Sequence, residues 1–296
     1  MQGRRGVLGS VEGSGLRRLP PGDPGRQPAR LAGLHRRRGV TRRTRVRVAF
    51  VCDVHGNLPA LEAVLADARA QGVDAIWDGG DAVGYHPWPS ECVQRLDEVC
   101  DLAVQGNYDR KVLRTPRRRQ RWLRRKDPLK AATLIWAWEQ LDERSRRVLA
   151  ARPSFWRIHA PCGEVLLLHA SPLSRKEPLS STTEPARWAE QATAAAGAVL
   201  VLHGHVHIGH AHREERLLFL TPGSVGRPED GDPRAAYAIV DLGGEAPTYT
   251  VRRVAYDVDP VLHEIEVRRL PREFAVMAAR GFSLADARRW LEVNPG

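Results

Sequence analysis

Lysine is close to absent from this chain. Among 296 residues there are 4 lysines against 42 arginines. A local run of arginine therefore partly reflects a general bias and is weak evidence for a nucleic-acid partner. Cysteine is also scarce. The 4 cysteines, Cys52, Cys92, Cys100 and Cys162, include no C-x-x-C pair, which argues against a cysteine-based zinc site. They form no recognisable disulfide framework either, so a reducing, cytoplasmic compartment is expected. No apolar run approaches the ~20 residues that cross a bilayer, so no membrane partner is expected. Residues 1–44 lack the long apolar core of a secretory signal, and no internal repeat is found.

The charge that is present lies unevenly. The net charge is +11, of which residues 1–45 hold +10, with twelve arginines against Glu12 and Asp23. The remaining 251 residues are nearly neutral at +1. The segment 1–44 is rich in Gly, Pro and Arg, with too little apolar surface to offset the entropy of ordering it. It is expected to be a disordered basic tail. A transit peptide, a misplaced start codon and a nucleic-acid-binding arm stay open for it. One domain is expected over 45–296.

Order is expected from about residue 45. Residues 46–52 form a β-rich run ending in Asp-Val-His-Gly-Asn. A helical pattern follows (Leu58, Leu61, Val64, Leu65, Ala68) and stops at Gly72. Pro59 falls in its first turn, where its missing N–H is tolerated. A second strand over 74–77 runs into Gly79-Gly80-Asp81, a helix follows Pro89, and a third strand over 102–104 runs into Gly106-Asn107-Tyr108-Asp109. This βαβαβ order predicts parallel strands with helical crossovers. The polar residues gather at the strand C-termini, where open α/β sheets bind ligands. Residues 110–150 read as a helical insert. Strands resume over 165–168, 198–202, 217–220, 235–241 and 248–254, and 257–296 reads as a helical extension, with two short helices over 271–291 broken at Gly281.

Seven donors follow β-like segments: Asp53, His55, Asp81, Asn107, His169, His205 and His207. All offer oxygen or imidazole nitrogen, a set that suits Mn, Fe, Zn or Ni. Asp-x-His and His-x-His place two donors on one side of extended chain. Gly56, Gly80, Gly84, Gly106 and Gly204 permit sharp turns beside them. Any one of these residues alone would read as a turn or surface residue; their joint order does not.

The motifs D-V-H-G-N (53–57), G-D-A-V-G (80–84), G-N-Y-D (106–109), H-A-S-P (169–172) and G-H-V-H (204–207) resemble those of the calcineurin-like metallophosphoesterase superfamily. T-P-G-S-V-G (221–226) resembles its bacterial and archaeal branch of phosphodiesterases and diadenosine-tetraphosphatase-like enzymes. The resemblance spans about residues 46–255. It implies an α/β four-layer αββα sandwich, two mixed sheets face to face with helices outside. It implies two divalent ions, one held by Asp53, His55 and His207, the other by Asn107, His169 and His205, with Asp81 bridging. It also implies hydrolysis of a phosphodiester, phosphomonoester or nucleotide pyrophosphate bond by a bridging hydroxide. The expected partner is a phosphorylated small molecule or nucleotide. The alternative is a catalytically weak scaffold for protein binding, as in the retromer subunit that shares the fold.

One position departs from the pattern. Many relatives carry His where this chain has Tyr108, and a phenol with a pKa near ~10 is a poor proton shuttle at pH 7. His86 is expected to take over part of that role, and Asp109 to support the loop or orient a ligand. His203 reads as structural or as a support for the ligands. Arg117 to Arg125 read as a solvated helical face or as phosphate-binding residues. Trp122, Trp136 and Trp138 read as core or as base-stacking residues. His210 and His212 read as strand residues, and Gly223-Ser224 as a tight turn or as N–H donors to the site.

Overall fold

The computed structural model describes residues 46–295. The expected basic tail over 1–44, with the nucleic-acid partner attached to it, lies outside the described residues.

Strand β1 (Arg47–Val51) is apolar on both faces because both are covered. It pairs in parallel with β2 (Ala75–Asp78), which pairs in parallel with β3 (Leu102–Ala103). The crossovers are helices α1 (Leu58–Ala70) and α2 (Pro89–Val99). α1 starts where Asn57 accepts a hydrogen bond from Ala60 N, and Pro59 occupies its first turn. The chain then forms α3 (Asn107–Val112), α4 (Thr115–Arg125), α5 (Pro128–Gln140) and α6 (Glu143–Ala151) before the second sheet begins.

That sheet contains β4 (Phe155–Ala160), β5 (Gly163–Leu168), β6 (Ala198–Leu202), β7 (His210–Glu214) and β8 (Leu217–Thr221), in the order β4-β5-β6-β8-β7. Helix α7 (Pro185–Ala194) connects β5 to β6. β9 (Ala235–Asp241) and β10 (Thr248–Val254) return antiparallel to β1, completing the first sheet as β10-β9-β1-β2-β3. Helices α8 (Asp259–Val267), α9 (Arg272–Arg280) and α10 (Leu284–Val293) close the described chain.

The four layers follow from alternation along the strands. Val48 and Phe50 point inward with Leu167, Leu202, Leu218 and Val240, forming the core between the sheets. Ala49 and Val51 point outward onto Leu61, Val64, Leu65 and Leu96 of the helices. On the far face of the second sheet, Leu166, Leu168, Val201 and Phe219 pack on Trp188 of α7. The fold is the expected αββα sandwich of two mixed sheets. Trp122 is buried, and Trp136 and Trp138 are partly buried against the same core as Leu134. Of the two readings given for these tryptophans, core packing is the one observed. None of the helices described is long and apolar enough to cross a membrane.

Candidate metal centre

The ends of β1 and β2 lie side by side, Val51 opposite Asp78, so the loops after them leave the sheet together. The loops are laced by backbone bonds: Asp53 N donates to Gly80 O and His55 N to Asp81 O, both at 2.9 Å. The second sheet joins them where His205 N donates to Asp53 Oδ2 at 2.9 Å and Gly204 N donates to His169 O at 2.9 Å. Gly106 must be glycine here, because a Cβ would fall on the backbone nitrogen and carboxylate of Asp81.

Five of the seven donors sit in left-handed backbone conformation: Asp53 at φ 55°, His55 at 49°, Asp81 at 57°, His205 at 77° and His207 at 59°. At ~1–2 kcal/mol each for a non-glycine residue, this is strain of about 5–10 kcal/mol, as large as the net stability of many domains. Such strain persists where the surroundings over-determine the backbone, and it clusters at functional sites.

The four imidazoles are each held by one ring nitrogen. His55 Nδ1 faces Val83 O at 3.1 Å and His169 Nδ1 faces Gly79 O at 2.8 Å. His205 Nε2 faces Lys176 O at 3.0 Å, and His207 Nδ1 faces Glu229 Oε1 at 3.2 Å. At His55, His169 and His205 the carbonyl acceptor fixes the N–H on that nitrogen and leaves the lone pair on the other; at His207 Nδ1 the acceptor Glu229 competes with the donor Arg227 Nη1, 3.0 Å away. Those other nitrogens converge. His55 Nε2 is 3.1 Å from His207 Nε2, which is 3.3 Å from Asp53 Oδ1. His169 Nε2 is 3.4 Å from Asp81 Oδ2, and that oxygen is 3.9 Å from His55 Nε2. Asn107 Nδ2 reaches Asp81 Oδ2 and His169 Nε2 at 3.2 Å and His205 Nδ1 at 2.8 Å. Asp53 Oδ1 is buried without a hydrogen-bond partner.

Two clusters have metal-holding geometry, Asp53/His55/His207 and Asp53/Asp81/His169, each with ligand atoms within 4.8 Å of one another. Asp53 belongs to both, and Asp81 Oδ2 faces histidines of both. A buried, orphaned carboxylate oxygen ringed by imidazole lone pairs fits divalent cations. Asn107 presents Nδ2, while its Oδ1 accepts from Lys111 Nζ. Ligation through its oxygen requires the amide to turn over.

The profile of the calcineurin-like phosphoesterase superfamily domain matches residues 46–245. The chain belongs to this superfamily. It is similar to an uncharacterized protein of Methanocaldococcus jannaschii, 29% identical over 244 residues, covering 76% of this chain and 93% of the relative. It is also similar to phosphodiesterase YfcE of Escherichia coli, 25% identical over 208 residues, covering 66% and 88%. A metallophosphoesterase crystal structure from Sphaerobacter thermophilus superposes with TM-score 0.65 at 29% identity, covering 80% of this chain and 100% of that one. A Pyrococcus horikoshii protein shows the same fold, with TM-score 0.72 at 21% identity over 80% and 98%.

Within the ligand cluster the buried carboxylates and imidazoles shift one another's pKa values. Burial would raise the Asp53 and Asp81 carboxyls, but the facing His207 and His169 hold them down at about 2. Against burial, the Asp81 charge pushes His169 up to about 10. Burial drives His205 down to about 4 and His55 well below its usual value.

Asp109 Oδ2 accepts from Asp81 N at 3.0 Å and from Gly106 N at 2.9 Å, so it ties two ligand loops together. Burial and the Asp81 charge raise its pKa to about 7. Tyr108 N donates to Asp81 Oδ1 at 2.6 Å, leaving Oδ2 for the centre. Burial and neighbouring Tyr85 push the Tyr108 phenol well above its usual pKa, and the two hydroxyls are 2.5 Å apart. His86 is fully buried, with neither ring nitrogen partnered and burial lowering its pKa to about 3. Its backbone N donates to His55 O at 3.0 Å. His203 is buried and its ring meets only its neighbour Gly204 O, at 3.3 Å.

Several residues near the centre went unread in the sequence. Arg227 Nη1 lies 3.0 Å from His207 Nδ1, and Nη2 pairs with Glu229 at 2.6 Å. Its guanidinium sits 4.0 Å from the Tyr85 ring centre. The signal was its place directly after T-P-G-S-V-G. That segment clamps the first ligand loop: Ser224 Oγ donates to Asp53 O at 2.7 Å and Gly226 N to the same oxygen at 3.1 Å. Arg117, Arg118, Arg119, Arg121, Arg124 and Arg125 lie exposed on α4. His210 and His212 lie on β7 beside Trp188, with His212 stacked on it at 4.1 Å.

Proposed function

We propose that this chain hydrolyses phosphoesters at a two-cation centre. Asp53, His55 and His207 would hold one ion and Asn107, His169 and His205 the other, with Asp81 available to both. The observation that carries the reading is the arrangement of the four imidazoles. Each is tied by one nitrogen; His55, His169 and His207 bring the other within 3.9 Å of the buried Asp53 or Asp81 carboxylate, and His205 brings its own to Asn107. A phosphodiester, phosphomonoester or nucleotide pyrophosphate bond is the bond class broken.

Bound divalent ions supply Lewis-acid stabilisation of a transferring phosphoryl group and lower the pKa of water. The protein's own part is positioning. Asp109 fixes the spacing of the loops that carry Asp81 and Asn107. Ser224 and Gly226 fix Asp53. Tyr108 stays protonated at neutral pH, so in this reading it donates a hydrogen bond to a leaving or non-bridging oxygen, backed by Tyr85. Arg227 and Glu229 set the orientation of His207. His86 supports His55 through its backbone, and the share of proton transfer proposed for its ring is tested by His86→Ala. An unchanged pH–rate profile in that variant removes the ring from the reaction.

The reading is tested with bis-p-nitrophenyl phosphate and a panel of divalent ions. Turnover is expected with at least one of Mn, Fe, Zn or Ni. It should fall by ~100-fold or more in Asp53→Asn and His169→Gln, as the loss of a charge-stabilising group implies. Metal-independent turnover, or full activity in both variants, contradicts it. Metal uptake with no turnover of any phosphoester would favour the scaffold alternative.

A further inference from the structure

The cavity of about 470 Å³ that opens onto the ligand cluster, with Asp81, Asn107, His205 and His207 in its wall, has a feature unrelated to ligation. The whole chain has 4 lysines against 42 arginines, and Lys111, Lys126 and Lys130 all line this one cavity. Elsewhere the chain meets a need for positive charge with arginine, commonly set in ion pairs such as Arg119–Glu139 at 2.5 Å and Arg252–Asp67 at 2.6 Å. Lys126 and Lys130 have no carboxylate partner among the described residues. Asp127, next in sequence to Lys126, is taken by Arg288 at 2.7 Å. Of the acids lining the cavity, Asp81 belongs to the ligand cluster and Glu229 is held by Arg227 at 2.6 Å. The ammonium charges of Lys126 and Lys130 therefore have no carboxylate counterpart among the described residues, while Lys111 donates to Asn107 Oδ1.

The volume falls in the range of small-molecule sites. Ser283, Leu284 and Ala285, the first turn of α10, form another part of the wall. A helix start adds partial positive charge there. Lysine binds phosphate as a point charge. Its ammonium is a compact charge on a flexible stem and imposes no bidentate geometry. We propose that this cavity is a subsite for further phosphoryl groups of the substrate, with Lys111, Lys126 and Lys130 as its cations. The substrate class is a small-molecule phosphoester bearing at least one additional phosphate. This rests on the reading of the adjacent cluster as the hydrolytic centre.

The test is calorimetric titration of Mn-loaded full-length protein with orthophosphate and with sodium tripolyphosphate, free Mn being held constant so that chelation is equal for every variant. Wild type should bind tripolyphosphate at least about tenfold more tightly than orthophosphate, the effect of one charge-assisted contact. Lys126→Met/Lys130→Met should lose that preference and keep its orthophosphate affinity, and Lys126→Arg/Lys130→Arg should retain part of the preference. No preference in wild type, or a preference that survives loss of both lysines, overturns the subsite. A single-stranded oligonucleotide that binds as tightly as tripolyphosphate, and is lost in the same variant, overturns the small-molecule class. Calorimetry reads binding, so it decides the subsite even if bis-p-nitrophenyl phosphate is not turned over. Absent turnover counts against the hydrolytic reading alone.

Discussion

Asp109 offers the sharpest single-residue test of how the site is held. Its Oδ2 satisfies two buried donors, Asp81 N and Gly106 N, on the loops that carry two of the proposed ligands. Asp109→Ala leaves both donors unpaired at ~1–3 kcal/mol each, a loss of about 2–6 kcal/mol. For a chain of this size each kcal/mol moves Tm by ~2–4 °C, so the melting temperature should drop by at least about 4 °C. Support residues of this kind also change metal affinity by ~10–100-fold. Asp109→Asn keeps one acceptor oxygen for both donors and places its amide where Asp109 Oδ1 has no partner. It should therefore recover most of the stability and of the Mn affinity. Differential scanning fluorimetry and Mn titration read both. An Asp109→Ala protein that melts and binds Mn like wild type refutes the argument. So does an Asn variant as damaged as the alanine one.

Three further outcomes are expected. His205 sits at φ 77°, so His205→Gly should be more stable than His205→Ala by ~1–2 kcal/mol. This is measured by urea unfolding in EDTA, and equal stabilities would remove the strain argument. Asp67 accepts from Arg252 at 2.6 and 2.8 Å and from Tyr237 at 2.6 Å, and the Arg252 bond leads in holding its pKa below the usual value. A depressed acid stabilises above its unfolded pKa and stops doing so as pH falls through the folded value. Asp67→Asn should then be less stable than wild type at pH 7 by ~1–3 kcal/mol, with the gap closing below about pH 4. A gap independent of pH contradicts this. Burial pushes the Cys52 and Cys92 thiols well above their usual pKa. Both should stay silent to a thiol reagent at pH 8 until guanidinium exposes them; rapid labelling of the folded protein argues against the packing.

The sequence was readable where pattern and burial coincide. The strands 198–202, 235–241 and 248–254 match their observed bounds. The first two are mostly buried apolar runs, and all three are bounded by turn residues. β4 (FWRIHA) was not read and β7 (HAHRE) was read as strand only at His210 and His212, because both are edge strands with polar, partly exposed sequences. An edge strand has no second neighbour to force an apolar pattern. α7 and α8 were missed as separate helices. α8 carries few buried positions, Val261 and Ile265, too few to set a clear period. The seven donors were legible because each follows a strand end. Arg227, Glu229 and Lys111 were not, because their roles depend on approaches that no spacing encodes, such as Arg227 across the Tyr85 ring. The lysine count was visible from the start, but its meaning required seeing that three of the four face one cavity.

The most direct test of the central claim is an anomalous diffraction map from crystals grown with Mn. Two peaks are predicted, enclosed by Asp53, His55, Asp81, Asn107, His169, His205 and His207, with the Asn107 amide turned to present oxygen. A map with no peak inside that cluster, or with Mn bound only elsewhere on the protein, contradicts the account.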